Sequence, residues 1–358
     1  MKPTHRLLAG LVCASPLLLA LNLSADKVSF TPAEGTVLNK TFKLGMALEL
    51  DSMSMTMNGE EMPMEFEMNM DMNQQVTTKD TYTKMEGSKP LKLSREFKGA
   101  TMEMDGEVKV NAMGNNQNES LKGSGTSKLT GETVTFTWDA DAGAYTTKFD
   151  EESDADVALL EGLTEDMDLR GLLPKDEVSE GDEWSVDNKV LIDLFAAGGD
   201  MHWNTELENA QAGVGGPSPE MMGDMRKMFG DMLDGDINCK YVGKKEVDGT
   251  KYLDIEVKVK INAKADLTDF VEEQMAGEEM PAGVEVSVDK MEMESNIEGK
   301  GHLLWDGAAG HMFRFEYEGE MSMALITAMN ISAGGMEMTN GMEMEMSGTM
   351  TFEITTSK

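Results

Sequence analysis

Apolar and polar residues alternate with a period of two along most of this chain. Phe42, Leu44, Met46, Leu48 and Leu50 are separated by single, mostly polar residues, and so are Met64, Phe66, Met68, Met70 and Met72. Val134, Phe136 and Trp138 repeat the pattern, as do Leu253, Ile255, Val257, Val259 and Ile261. Phe313, Phe315, Tyr317, Gly319, Met321 and Met323 continue it, and Met342, Met344, Met346, Met350, Phe352 and Ile354 end the chain with it. Successive strand residues point to opposite faces, so each run predicts a strand with one apolar and one polar face. Strands buried on both faces would not alternate, which makes the expected sheet antiparallel. The alternation changes phase at Ser52/Met53 and at Lys290/Met291, where a bulge or bend is expected.

Helical spacing is confined to the middle of the chain. Val157, Leu159, Leu160, Leu163, Met167 and Leu169 predict a helix within Asp154 to Arg170. Ser218-Pro219-Glu220 is a helix start, followed by Met221, Met222, Met225, Met228, Phe229, Met232 and Leu233 at three- and four-residue steps. Shorter helical turns are expected near Lys189–Ala197 and Leu267–Ala276, and a loop from Gly213 to Pro219. Trp138-Asp139-Ala140-Asp141-Ala142-Gly143 and Trp305-Asp306-Gly307-Ala308-Ala309-Gly310 share the pattern W-D-x-x-A-G, each between two alternating runs. Asp and Gly supply a turn there, so both read as hairpins.

The fold class that follows is mainly β: a large twisted antiparallel sheet or two half-barrel lobes, with a few short helices. The expected division is a signal peptide over residues 1–25, a first β-rich lobe over 26–175, and a second over 176–358 that carries the inserted helices. Lys2 and Arg6, then the mostly apolar Leu7 to Leu21, then Leu23-Ser24-Ala25, have the form of an export signal cut before Asp26. Pro16 and the short apolar stretch disfavour a membrane anchor. Gly10 and Val12 stand where a lipoprotein signal ending at Cys13 would need Leu and a small residue. The protein is thus expected outside the cytoplasm, periplasmic or extracellular.

Composition sharpens this picture. The 358 residues carry 31 basic and 66 acidic side chains, a formal net charge of −35. Without the signal the balance is 29 against 66, a net of −37. That sign disfavours nucleic acid and anionic lipid as partners. One cysteine remains, Cys239, so no internal disulfide can brace the exported fold. Its strand-like surroundings predict a small buried hydrophobe.

The methionines change the picture most. There are 35 in all, with eleven M-x-M pairs, among them Met53/Met55/Met57, Met68/Met70/Met72, Met291/Met293 and Met342/Met344/Met346. On a strand the members of such a pair share a face. Several readings follow. Met can replace Leu, Ile and Val as core filler, or line a surface that accepts varied apolar partners. Thioethers also select Cu(I), with Met201-His202-Trp203 and His311-Met312 offering imidazole, and they oxidise readily to sulfoxides. The carboxylates carry no comparable signal. Asp139 and Asp141, and Asp234 to Asn238, depart from a calcium loop at Gly143, Cys239 and Lys245. No nucleophile elbow, zinc-protease pair, phosphate loop or dinucleotide fingerprint occurs. No catalytic, cofactor-binding or metal-ligating residue is therefore assigned, and no cofactor.

Leu173-Pro174-Lys175-Asp176-Glu177-Val178-Ser179-Glu180-Gly181-Asp182-Glu183-Trp184 and the early Met-x-Met strands followed by Asn58-Gly59-Glu60-Glu61 resemble a group of exported, strand-rich bacterial proteins of unknown function. The architecture also resembles the half-barrel lipoprotein carriers, by analogy, without the anchoring cysteine of their anchored members. The resemblance implies no activity and no site residue. The expected function is non-catalytic: binding an apolar ligand or an envelope protein on a Met-rich sheet face. The alternatives are Met-based Cu(I) binding and a purely structural Met-rich core. No membrane span is expected after signal cleavage, and the oligomeric state stays open.

Overall fold

The alternating runs become long antiparallel strands. The computed structural model describes residues 25–112, 115–188, 190, 194, 196–208, 233–276, 284–333 and 336–358. In chain order, β1 (Thr36–Met57), the two-residue β2 (Glu60–Glu61), β3 (Met64–Glu86) and β4 (Lys89–Ala112) come first. They are followed by β5 (Asn115–Ser127), β6 (Thr133–Asp139), β7 (Ala144–Phe149), β8 (Glu183–Val186) and β9 (Trp203–Glu208). The second half holds β10 (Leu233–Val247), β11 (Thr250–Asp266), the helix α1 (Thr268–Ala276), β12 (Val284–Asp306), β13 (His311–Ala333) and β14 (Met336–Ser357). With 22 residues in β1 and 24 in β4, the longest strands reach roughly 70–80 Å at about 3.3 Å per residue.

Of the two architectures expected, the single large sheet is the one found. Its 14 strands run β7-β6-β4-β3-β1-β14-β13-β12-β11-β10-β8, with β2 on β1 and β5 joining β4 to β9. The path is open, with β7 and β8 at its ends. The first and last long strands meet in its middle, from Asn39 opposite Ser357 to Met57 opposite Asn340. Both phase slips are bulges. The β1–β14 register shifts between Leu50 and Ser52, and the β12–β13 register between Val288 and Lys290. Each extra residue returns the following methionines to the apolar face.

The main core lies at one end of the sheet. Leu38, Phe42, Val76, Leu93, Phe136, Ile255, Leu303, Trp305, Phe315 and Ile354 turn inward there. The N-terminal Val28 and Phe30 and the segment carrying Leu129, Met167, Leu169, Leu172, Val178 and Met201 cover them. Phe30 sets its ring edge-on to Tyr82 at 5.3 Å and to Trp305 at 6.3 Å. The two W-D-x-x-A-G segments form the β6–β7 and β12–β13 turns with the same hydrogen bonds. Asp139 Oδ1 accepts from the amides of Asp141 and Ala142, and Asp306 Oδ1 from those of Ala308 and Ala309. Gly143 and Gly310 close the turns at φ +66° and +72°, where a side chain would be strained.

The helix expected over Asp154–Arg170 is not there. Only Val157–Leu160 and Arg170–Leu172 form short 3-10 turns. Asp156 accepts from the Ala158 amide, and Asp166 accepts from the amides of Asp168 and Arg170. Short acidic side chains thus satisfy backbone groups that a helix would have used, and Gly162 at φ +76° breaks the run. The expectation for Leu267–Ala276 is met by α1, which lies beside β12 with Val271 against a small cluster of Ala265, Leu267 and Met293. The helix read after Ser218 lies outside the described residues, as does most of Lys189–Ala197. Among the described residues, no helix is long and apolar enough to cross a membrane.

Candidate functional site

Beyond the core, the inward face of the sheet continues as a field of methionines. Met46 on β1 lies between Met72 on β3 and Met350 on β14, and Met72 lies opposite Met104 on β4. Four neighbouring strands therefore each place one thioether on the same row. Farther along, Leu50, Met346 and Met323 make a row, then Met53, Met344, Leu325 and Met293, then Met55, Met342, Thr327 and Met291. The sequence pairs Met53/Met55, Met291/Met293 and Met342/Met344/Met346 are thus brought together on one surface. Met68 and Met70 share it on β3.

Burial grades along this face. Met350 is 1% exposed and Met346 4%, while Met57 reaches 39%. Met53, Met55, Met68, Met70, Met342 and Met344 are half-buried. Beside β12 the face carries α1: Val271 packs against the cluster of Ala265, Leu267 and Met293, as do Met291, Met323 and Leu325. The β1–β3 register stops at Glu49 opposite Asn69. Pro63 has no amide to donate to a ladder, and just before β3 the Met62 amide donates to the Met55 carbonyl of β1 at 2.8 Å. The reverse face is acidic: Glu65, Glu67, Asp71, Glu292, Glu343 and Glu345 all stand exposed. Where that polar face bends inward it forms an open cleft of about 810 Å³, lined by Lys43, Glu103, Lys300, His302, Glu318 and Glu353 among others. Within it Lys43 pairs with Glu353 at 2.8 Å, and His302 Nδ1 lies 2.8 Å from Asp254 Oδ1.

The other residues singled out in the sequence stay apart from the Met rows. Met201 and Met312 are core residues, 3% and 0% exposed. His202 contacts the Glu161 carbonyl and His311 the Met312 carbonyl. Cys239 is 1% exposed, and burial pushes its thiol up to about 12. Asp139 is occupied by its own turn, and Asp234 to Asn238 lie within β10. Among the described residues, no group of three or more His, Cys, Asp and Glu could hold a metal ion.

One cluster escaped the sequence reading. Lys40, Asp80, Arg95 and Asp168 are all 0% exposed and lie together inside the core. Lys40 Nζ is 2.9 Å from Asp80 Oδ2, 2.8 Å from Asp168 Oδ2 and 2.8 Å from the Tyr82 hydroxyl. Tyr82 donates to Asp168 Oδ2 at 2.6 Å. Arg95 grips Asp80 through Nε and Nη2, each at 2.9 Å, and donates to the Thr164 and Glu165 carbonyls at 2.8 Å. Burial alone would raise the Asp80 carboxyl; Arg95 and Lys40 outweigh it and hold the group down at about 2. Burial, with Asp168 and Asp80 nearby, raises the Tyr82 phenol far above its ordinary range, so its proton stays in place as a donor. The cluster ties the irregular 161–172 segment to three strands.

No family model matches the chain, and no curated protein matches it. Among solved structures, OccAB4 of Acinetobacter baumannii is 8% identical to it over 92% of this chain and 99% of that one; at a TM-score of 0.10 the likeness carries no argument.

Proposed function

We propose that this is an exported, non-catalytic protein of the cell envelope that binds an apolar ligand or a partner protein on its Met-rich sheet face. The observation that carries the reading is the half-burial of Met53, Met55, Met342 and Met344, side by side on a face that bears no charge along these rows. Met as simple core filler would be as enclosed as Met312 or Met350. Flexible, polarisable thioethers adapt to differently shaped apolar partners at little cost in strain. The acidic reverse face keeps such a sheet soluble without placing charge where the ligand lies. Native mass spectrometry of the protein purified from its own envelope tests this. Bound lipid-like or protein mass lost on replacing these four methionines by serine supports it, and a clean apo mass from that source contradicts it.

The row Met104, Met72, Met46 and Met350 favours a second reading, Cu(I) binding by thioethers. It requires stoichiometric Cu(I) uptake against a competing chelator, abolished when these residues become leucine. Unchanged uptake in that variant removes the row from consideration, and no uptake removes copper.

A further inference from the structure

We propose that Lys40 and Asp168 condense to an amide, an intramolecular cross-link that joins β1 covalently to the segment following β7. The two groups are already in contact, with Nζ 2.8 Å from Asp168 Oδ2 and both side chains 0% exposed. A well-oriented buried pair reacts as though at an effective molarity of roughly 10⁵–10⁸ M.

The surrounding groups fit the remaining steps. Asp168 Oδ1 is buried and has no hydrogen-bond partner; it receives the first Lys40 proton and becomes the leaving hydroxyl. The Nζ lone pair attacks Asp168 Cγ, forming the C–N bond and placing negative charge on Oδ2. Tyr82 already donates to that oxygen at 2.6 Å, where a fixed donor stabilises the developing oxyanion. Nζ passes its second proton to the departing hydroxyl, while the Asp80 carboxylate, with Oδ2 2.9 Å from Nζ, stabilises the positive charge that the nitrogen carries until then. The C–Oδ1 bond breaks, Oδ2 reforms the carbonyl, and one water leaves with no change of oxidation state.

Asp168 is the acceptor, and Asp80 is not. Arg95 binds both oxygens of Asp80, which fixes it as a delocalised carboxylate and a poor electrophile. The product leaves that pair intact. Condensation removes one positive and one negative charge together, so the core remains neutral. A chain whose lone exported thiol is buried would gain from this link the constraint on its unfolded state that a disulfide gives elsewhere.

The test is the intact mass of the wild-type protein in denaturant, calculated from its sequenced N-terminus. The link predicts a chain lighter by one water and, after digestion, a branched peptide joining Lys40 to Asp168. A full mass, with Lys40 open to amine reagents in denaturant, overturns the proposal. Tyr82→Phe keeps the ring and removes the oxyanion donor; freshly purified, it should retain a larger full-mass fraction than wild type. Equally complete condensation in that variant overturns the role given to Tyr82.

Discussion

Met53 on β1 lies opposite Met344 on β14, just past the bulge at which Leu50 faces Met346 and Asp51 is left over. Without that extra residue, Met53, Met55 and Met57 would point to the acidic side of the sheet. The bulge therefore keeps the thioether face continuous from the core into its open part.

Replacing Met53 and Met344 together by serine should weaken binding of a long-chain fatty acid at least several-fold, with little change in the unfolding midpoint, since both are half-buried. Leu303→Ala, at a 0% exposed core position, should instead cost about 2–5 kcal/mol. Parallel binding isotherms and urea titrations check both. Equal losses of stability would show that the Met face is part of the load-carrying core.

The N-terminal segment is built into the fold from Asp26 onward. The Asp26 amide donates to the Val178 carbonyl at 2.7 Å, and its carboxylate accepts from Tyr241 and from Lys244, each at 2.7 Å. Val28 and Phe30 are 3% and 1% exposed. If the signal is removed as proposed, sequencing of the protein purified from its own cells should find Asp26 first. A chain begun at Pro32 should lose the Phe30 contacts with Tyr82 and Trp305 and about 3–5 kcal/mol, read by denaturant unfolding.

Cys239 should resist alkylation. The thiolate is the reactive form, and burial holds the thiol up at about 12 with 1% of the residue exposed. At pH 8, labelling should be negligible in the native protein and complete in denaturant. Rapid native labelling would mean that β8 opens away from β10.

Acid should expose the buried cluster. Asp80 is held at about 2 in the folded protein, against about 3.9 in an unfolded chain. Its contribution, on the order of 2 kcal/mol, is fully present above the unfolded value and lost as pH falls through the folded one. Protonating other carboxylates relieves self-repulsion over the same range, so the measurement is a difference. Between pH 5 and 2 the stability gap between wild type and Asp80→Asn should narrow. A constant gap would contradict the ion pair with Arg95.

The strands were legible because a period of two survives in their sequence, and the bulges at Leu50/Ser52 and Val288/Lys290 because each interrupts that period; the register shifts at Tyr82/Lys84, Tyr241/Gly243 and Leu304/Trp305 were not. The cluster was missed although it leaves the same kind of trace. Lys40 occupies the inward phase of Leu38 and Phe42, Asp80 that of Thr78 and Tyr82, and Arg95 that of Leu93 and Phe97. One charge in the apolar phase of each of three strands was the available signal. Asp168 had no such trace, because its segment is irregular. The expected helix over Asp154–Arg170 failed for a related reason: its leucines do pack inward, but aspartates that bond to the local backbone set its path. Whether the Met face was open or enclosed could not be read from alternation, since the same pattern serves a core and a bare sheet.

Methionine oxidation footprinting with limiting peroxide, with and without a long-chain fatty acid, tests the open binding face most directly. Met53, Met55, Met342 and Met344 should oxidise early in the free protein and be protected by the ligand, while Met312 stays silent in both. Equal oxidation of these four residues with and without the fatty acid, or oxidation of Met312 as fast as Met344, would contradict an open, ligand-binding methionine face.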